Sequence, residues 1–438
     1  MQQWSKETAI IWHNQELKYK DVLKRVNFWE NQVSYLGVSP GSVIGLEGNY
    51  SPNACALLLA LIQRKAIVVP LTKAVRVYRD EFLSTAEVQL IFTFDDEDNW
   101  QIEKRAVEIL NPLTKQLIEG NHPGLILFSS GSTGKNKAAL HNFNKFLGKF
   151  KVPRLRMRTI NFLLFDHIGG LNTLFYTLFN GGTVVTTQDR DPESVCELIE
   201  KHKVELLPTT PTFLNIFLIS EAYRNFDLSS LRLITYGTEV MSETVLTRIR
   251  QIFPNVRLLQ TYGSSELGIL RSKSKDSDSA WMKVGGESFE IKVVDGILWI
   301  RADSPMIGYL NAPNPFTQDG WFITGDAVEV DGEYIRVLGR KSEIINVGGE
   351  KVYPAEVETV LQMMDAVEDV AVSAESNAIT GQIVNAQVRL NSEETVNEFT
   401  KRMQRFCRGR LSRYKIPQKV TILSRELYGE RFKKRRND

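Results

Sequence analysis

The sequence predicts an α/β protein: a large N-terminal α/β body with parallel sheets, a β-rich subdomain, and a small α+β C-terminal domain. Three observations carry this. Short apolar runs alternate with helix-like stretches over roughly the first 260 residues, Asp-Gly turns take over from about residue 285, and the last hundred or so residues mix a helix with short strands.

Val43 to Leu46 and Ala66 to Pro70 are short apolar runs of strand type, and Pro52 to Gln63 between them is helix-like. Leu90 to Phe94 is another strand-like run. Strands joined through helices of ten or more residues have room for a crossover, and crossovers produce parallel sheets. The rhythm continues with a strand at Thr183 to Thr186, a helix at Pro192 to His202 and a strand at Val204 to Leu207. Leu231 to Thr235 and Val256 to Gln260 flank a helix over Ser242 to Phe253. Asp295-Gly296 and Asp331-Gly332 are residue pairs that tolerate positive φ, so the segments around them read as antiparallel hairpins. Near the end, Pro354 to Met364 reads as helix and Val370 to Val372 as a short strand.

A chain of 438 residues, 42% hydrophobic and 24% charged, exceeds what one core usually holds and is expected to divide into domains. Its longest apolar run, Ala54 to Ile62, falls short of the roughly 20 residues that span a bilayer, so no membrane span is expected. The opening residues carry no basic stretch ahead of an apolar one, which argues against a signal peptide. Cys55, Cys196 and Cys407 are scattered, which suits a reducing compartment and a cytoplasmic location. Charge is uneven: residues 401–438 hold 14 Lys/Arg against Glu426, Glu430 and Asp438. Such a segment fits nucleic acid, an acidic membrane surface, a small polyanion or plain solvent. No zinc-finger or RNA-recognition signature accompanies it, so no nucleic-acid partner is expected.

The chemistry concentrates in Leu125 to Lys137, LILFSSGSTGKNK, where a buried apolar strand runs into a Ser/Gly/Thr loop closed by lysines. Gly131 and Gly134 permit positive φ and close backbone approach. Ser129, Ser130, Ser132 and Thr133 add hydroxyls, and Lys135 and Lys137 add charge. With exposed amides these make a phosphate cradle, the plain alternative being a flexible surface loop. A Walker A loop needs four residues between its glycines, then Lys and Ser/Thr. Only Ser132 and Thr133 lie between these glycines, and Asn136 follows Lys135, so that reading fails on spacing.

Four more segments follow in order: QTYGSSE at Gln260 to Glu266, GWFITGD at Gly320 to Asp326, GRKSEIINVGGEKVYPAEVE at Gly339 to Glu358, and SRYKIP at Ser412 to Pro417. Together with the loop they resemble the adenylate-forming superfamily of acyl-CoA synthetases, peptide-synthetase adenylation domains and luciferases. The resemblance implies that a carboxylate attacks the α-phosphate of ATP, pyrophosphate leaves, and the acyl-adenylate passes to a thiol. It assigns the phosphates to Ser129 through Gly134 with Lys135 and Lys137, and Mg²⁺ to Glu266 with Thr133. It gives Ser265 the α-phosphate, and Gly237, Thr238, Glu239, Tyr262 and Gly263 the adenine side of the pocket. Asp326 would accept from the ribose hydroxyls and Arg340 would reach ribose or phosphate. The same resemblance divides the chain into a large domain, 1–339, and a small mobile one, 340–438. Ser342 then stands at a hinge where the family commonly has Asp.

His167, in LLFDHIGGL, matches a histidine that gates the acyl pocket in acyl-CoA synthetases; a helix-capping or core histidine is the alternative. With Asp166, Gly170, Tyr236 and Gly263 it outlines the acid pocket. Asp166 departs from the pattern, and a buried carboxylate needs a partner, either a substrate amine or a backbone donor. The HIGGL context favours the backbone. A further departure lies in SRELYGERFKKRRND, where the family ends on a Gly-Lys pair but Gly429 is followed by Glu430. Counting forward from Pro417 puts Lys433 at the family's lysine, with Phe432 in the glycine's place and Lys434 next. The alternative is a solvated basic tail with the lysine lost.

The expected activity is an ATP- and Mg²⁺-dependent acid–thiol ligase acting on a small carboxylic acid, with coenzyme A or a holo-carrier protein in trans as acceptor. The rivals are a freestanding amino-acid or aryl-acid adenylating enzyme that loads a carrier protein, and a nucleotide-binding relative without catalysis.

Overall fold

The computed structural model describes residues 1–130, 135–276, 279–286 and 288–436. Two seven-stranded sheets make the body. The first runs Gly308–Tyr309, Asn136–Asn142, Gly124–Ser130, Ile67–Leu71, Val43–Glu47, Leu90–Phe94, Trp100–Lys104 from edge to edge. Its strands from Gly124–Ser130 to Leu90–Phe94 are parallel. The second runs Arg257–Gln260, Leu233–Tyr236, Leu206–Thr209, Arg158–Asn161, Thr183–Thr186, Thr8–Trp12, Gln15–Lys18, all parallel except the closing hairpin. The helices Tyr19–Tyr35, Pro52–Gln63 and Ile168–Phe179 fill the space between the sheets. One apolar cluster therefore includes Leu46 and Val68 of the first sheet and Ile10 and Val184 of the second.

Local chemistry explains the boundaries. Ser51 accepts from the Ala54 N–H, with Pro52 in the first helical position, which starts Pro52–Gln63 where the sequence predicts. Asp191 caps Pro192–His202 in the same way. That helix ends on Lys203 in a left-handed conformation, and the Val204 N–H returns to the Ile199 carbonyl. The strand expected from Val204 consequently begins only at Leu206.

The β-rich subdomain is a six-stranded antiparallel sheet of Ser272–Ser274, Met282–Val284, Tyr334–Arg340, Phe322–Asp331, Ile297–Ala302 and Phe289–Val294. Asp295-Gly296 forms its two-residue hairpin turn with both φ angles positive. At the other expected hairpin Asp331 still pairs with Tyr334, so the turn falls on Gly332-Glu333, one residue later.

The small lobe packs Pro354–Leu361 and Val396–Cys407 on a sheet of Glu350–Val352, Ile345–Val347, Gly381–Leu390 and Val367–Asn377, with Lys419–Ile422 added in parallel. The strand expected over Val370 to Val372 is the buried part of Val367–Asn377, which runs on with alternating exposed residues. The lobe joins the β-rich sheet at Arg340 through a short turn, Lys341–Glu343. No described helix is long and apolar enough to cross a membrane. Cys55, Cys196 and Cys407 are buried and free.

Candidate active site

Parallel strands end on one edge, so the loops that follow them share a crevice. In the second sheet, Arg158–Asn161 leads to His167, Thr183–Thr186 to Arg190, and Leu206–Thr209 to Thr210. Leu233–Tyr236 leads to Thr238, and Arg257–Gln260 leads to Tyr262. His167, Arg190, Thr210 and Thr238 line a cleft whose remaining wall includes Arg431 and Lys433 from the end of the chain. Thr238 holds φ +74°, a conformation unfavourable for a threonine, and strain of this kind gathers at sites held by their surroundings. Gly237 beside it has no room for a side chain: a Cβ would lie 2.5 Å from Thr261 Oγ1.

His167 fills both of the roles open to it. Its Nδ1 accepts from the Gly169 N–H at 3.1 Å, capping Ile168–Phe179, while the ring lines the cleft. Accepting at Nδ1 leaves the proton of the neutral ring on Nε2. Burial pushes its pKa down to about 3, and Lys433 and Arg431 add to the effect.

Asp166 is 4% exposed, and its partners correct the backbone expectation. Its Oδ2 accepts from Thr72 Oγ1 at 2.9 Å and from Arg431 Nη2 at 3.0 Å. A side-chain ion pair from the far end of the sequence meets the need that the backbone was expected to meet. Oδ1 is buried without a hydrogen bond.

The end of the chain is no free basic face. Lys434 lies 3.4 Å from Asp369 and 3.9 Å from Glu358, and its ammonium donates to the Val370 carbonyl. Arg436 pairs with both Glu358 oxygens and with Glu343. Burial alone would raise the Glu358 pKa, but Lys434 and Arg436 outweigh it and hold the carboxyl below its ordinary value. The Lys433 side chain, by contrast, has no hydrogen bond or ion pair among the described residues, while its carbonyl accepts from the Gly429 N–H. Desolvation by the surrounding protein lowers its pKa; Glu239 opposes that shift, while Arg431 and Arg340 add to it.

A second group of residues sits on the β-rich side. Asp326, 8% exposed, lies 2.7 Å from Arg340 Nε and accepts from the Tyr262 hydroxyl. Burial raises its pKa, and Arg340 and Tyr262 pull it back. The Tyr309 hydroxyl donates to Glu266 Oε1, and the Lys137 ammonium sits over the Tyr309 ring. Glu266 thus presents a carboxylate, the hard oxygen ligand Mg²⁺ takes, one ring away from the ammonium of Lys137. His141 is buried beside Ser265 and Glu266, and burial lowers its pKa to about 4.

The remaining predicted residues are distributed as follows. Gly131, Ser132, Thr133 and Gly134 lie outside the described residues, as does the Ser130 side chain. Ser129 pairs with Lys137 across Gly124–Ser130 and Asn136–Asn142, which brackets the loop between two strand ends. Lys135 is exposed. Glu239 accepts from Thr212 Oγ1 at 2.6 Å and from the Lys434 N–H at 2.7 Å, so one of its jobs is to fasten the end of the chain. Gly263 and Ser265 belong to the hairpin of Gly263–Ser264 and Gly268–Ile269. Gly170 and Tyr236, expected in the acid pocket, are buried in Ile168–Phe179 and at the end of Leu233–Tyr236. Ser342 is exposed in the turn between the β-rich sheet and the small lobe. Arg190, Thr72, Thr210 and Arg431 were not anticipated. Arg431 stands two residues before Lys433, which was a usable signal, while the other three carry none.

Comparison with known proteins follows this geometry. Residues 1–310 match the family model described as AMP-binding enzyme, and residues 356–431 the one described as AMP-binding enzyme C-terminal domain. The chain is 27% identical to the indoleacetate–CoA ligase of Aromatoleum aromaticum, covering 95% of this chain and 91% of that protein. It is also 27% identical to a 2-succinylbenzoate–CoA ligase of Listeria monocytogenes, covering 96% and 93%. Among solved structures, an anthranilate CoA ligase in complex with anthranoyl-AMP superposes with TM-score 0.83 at 20% identity, over 98% of this chain and 92% of that one. The o-succinylbenzoate CoA synthetase of Bacillus subtilis, in complex with its acyl-adenylate, superposes with TM-score 0.77 at 23% identity, over 99% and 96%. At these identities the superpositions establish the fold.

Proposed function

Because the chain belongs to the AMP-binding enzyme family, we propose that it is a ligase joining a carboxylic acid to coenzyme A at the expense of ATP. A carboxylate oxygen attacks the α-phosphorus, the bond to the β-phosphate oxygen breaks, and pyrophosphate leaves. The coenzyme A sulfur, its proton lost to solvent, then attacks the acyl carbon, and AMP leaves with the electron pair of the carbon–oxygen bond. The observation that carries this reading is Lys433, an unpaired ammonium in the same cleft as His167 and Thr238.

Each step asks for donors and cations where negative charge gathers, and no nucleophile from the protein. Lys433 bridges the attacking carboxylate and the α-phosphate. Neutral His167 donates from Nε2 toward the acid without adding charge. Asp326 accepts from the ribose hydroxyls, held in place by Arg340, and Tyr262 closes the adenine side. Ser129, Ser130, Gly131, Ser132, Thr133, Gly134, Lys135 and Lys137 cradle the β- and γ-phosphates. Glu266 and Thr133 would hold Mg²⁺, which when bound offsets charge on the departing pyrophosphate. The small domain, 340–438, pivots at Ser342 between the two steps, in a cytoplasmic enzyme.

For the acid we favour one with an aromatic ring. Two of the relatives carry such an acid in their names, indoleacetate and 2-succinylbenzoate. The test is pyrophosphate release with ATP and Mg²⁺ across aryl, fatty and amino acids, with mass-spectrometric detection of acyl-CoA. Release with aryl acids and an acyl-CoA product is expected. ATP binding without release for any acid would overturn the reading, and release without an acyl-CoA product would move the acceptor to a carrier protein.

A further inference from the structure

Two of the places where this sequence departs from the pattern it otherwise follows, Asp166 and the segment Glu430 to Lys434, touch each other. Arg431 Nη2 donates to Asp166 Oδ2 at 3.0 Å, across 265 residues of sequence. We propose that Asp166 is a positioning residue for Lys433, acting through Arg431. The proposal rests on the role given to Lys433 above.

The segment is fastened to the body at three of its four residues from Arg431 to Lys434. Arg431 binds Asp166 Oδ2, the same oxygen that accepts from Thr72. The Phe432 carbonyl accepts from Thr210 Oγ1 at 2.8 Å, and its ring packs on Phe162 and Phe213 with centroids 5.3 and 5.4 Å away. The Lys434 N–H donates to Glu239 Oε1 at 2.7 Å. Lys433 lies inside this run and is the member whose side chain has no hydrogen bond or ion pair among the described residues. The arrangement constrains the backbone on both sides and leaves the ammonium to the cleft.

Charge gives Asp166 a second reason to be there. Arg190, Arg431 and Lys433 all line the cleft, and Arg190 has no ion pair among the described residues, lying instead against the rings of Phe162 and Phe432. Like charges this close repel in a partly desolvated cleft, and the Asp166 carboxylate offsets that repulsion. Remove it, and Arg431 becomes a further cation pushing Lys433 outward. A glycine before the lysine would give a pliable link. Here Phe432 at φ +49°, pinned on both sides, gives a stiff one that needs an anchor.

The proposal is tested with Asp166→Asn, Arg431→Gln, their combination, and Arg431→Lys. Two activities are read: acid-dependent ATP–pyrophosphate exchange, and acyl-CoA formation from synthetic acyl-adenylate, which bypasses the first step. Each single change is expected to lower kcat of exchange by about 10- to 100-fold, the scale of a misplaced catalytic group, with KM for ATP and acid within about threefold. The double variant is expected to be no worse than the worse single, because both remove one interaction. Arg431→Lys recovers part of the loss, and acyl-CoA formation from the adenylate stays within about threefold of the parent. Trypsin supplies a readout independent of activity: the parent resists cleavage between Arg431 and Arg436, and both single variants release the terminal peptide faster. If Asp166→Asn does not fold, Arg431→Gln and Arg431→Lys, which leave the body untouched, carry the test alone. Unchanged exchange, a multiplicative double variant, or a KM increase confined to amine-bearing acids in Asp166→Asn would overturn the proposal. Absence of exchange in the parent with every acid would overturn the proposed function instead, while the trypsin comparison would still decide whether Asp166 holds the segment.

Discussion

Asp326 and Arg340 face each other directly across the strands Phe322–Asp331 and Tyr334–Arg340, with Nε 2.7 Å from Oδ1. The pairing register, shifted by one residue between Val328 and Ala327 from that of the hairpin turn, aims a buried carboxylate and a half-exposed guanidinium at one spot. Asp326→Asn keeps the shape and removes the charged acceptor. Calorimetry should show AMP binding weakened by about 1.5–3 kcal/mol, the value of a hydrogen bond to a charged group. Affinity equal to the parent would remove Asp326 from the nucleotide site.

The two adjacent lysines separate by environment. Lys433→Ala should lower the rate of the first step about 10²–10³-fold, as loss of a donor to a charged transition state does. Its melting temperature should not change. Lys434→Ala should instead lower the melting temperature, since breaking a buried ion network costs about 3–5 kcal/mol, and Glu358 and Asp369 lose a cation. Equal loss of rate and no loss of stability in both variants would contradict this division.

Phe432 combines a left-handed backbone with a packed ring. A left-handed conformation costs an L-residue about 1–2 kcal/mol, which glycine avoids. Phe432→Ala loses the ring and keeps the strain, whereas Phe432→Gly loses both. The rate of tryptic release of the terminal peptide should rank Phe432→Ala fastest, Phe432→Gly next and the parent slowest. The reverse order for the two variants would show that the backbone is not held.

Two neutral histidines make the fold acid-sensitive. The pKa of His141 falls to about 4 and that of His167 to about 3 on burial, against roughly 6.5 in an unfolded chain. Between these values the unfolded state binds more protons, so stability is fully present above about pH 6.5 and is lost as pH falls. Each histidine contributes up to about 1.4 kcal/mol per pH unit in that window. Urea unfolding at pH 6.5 and 5 should show a drop of several kcal/mol, and His141→Gln should remove about half of it. A flat profile would mean that the rings are not held neutral.

The body was legible because its strands are buried on both faces and so appear as continuous apolar runs: Val43–Glu47, Leu90–Phe94 and Thr183–Thr186 lie close to where the sequence puts them. Val367–Asn377 was under-read because its exposed half alternates with polar residues, and Tyr19–Tyr35 because its buried Val22, Val26, Trp29 and Val33 are diluted by a charged face. Val396–Cys407 is signalled by the capping box of Thr395 and Glu398 and by Phe399, Met403 and Cys407 at a spacing of four, a pattern diluted by the charged residues between them. At the site, contiguous motifs carried Asp326 and Glu266. The partner of Asp166 was hidden for a physical reason. An ion pair between residues 166 and 431 leaves no local trace in either segment.

The strand pairings also govern how the chain finds its fold. Ile10 pairs with Val184 and Gly308 with Leu140, so neither sheet has all its strands until distant stretches have met. Such non-local closure slows folding and leaves strand edges open while it waits. Refolding from denaturant is therefore expected to be slow and concentration-sensitive, with the hairpin Thr8–Trp12/Gln15–Lys18 and the short strand Gly308–Tyr309 among the last pieces to lose their exposure to hydrogen exchange.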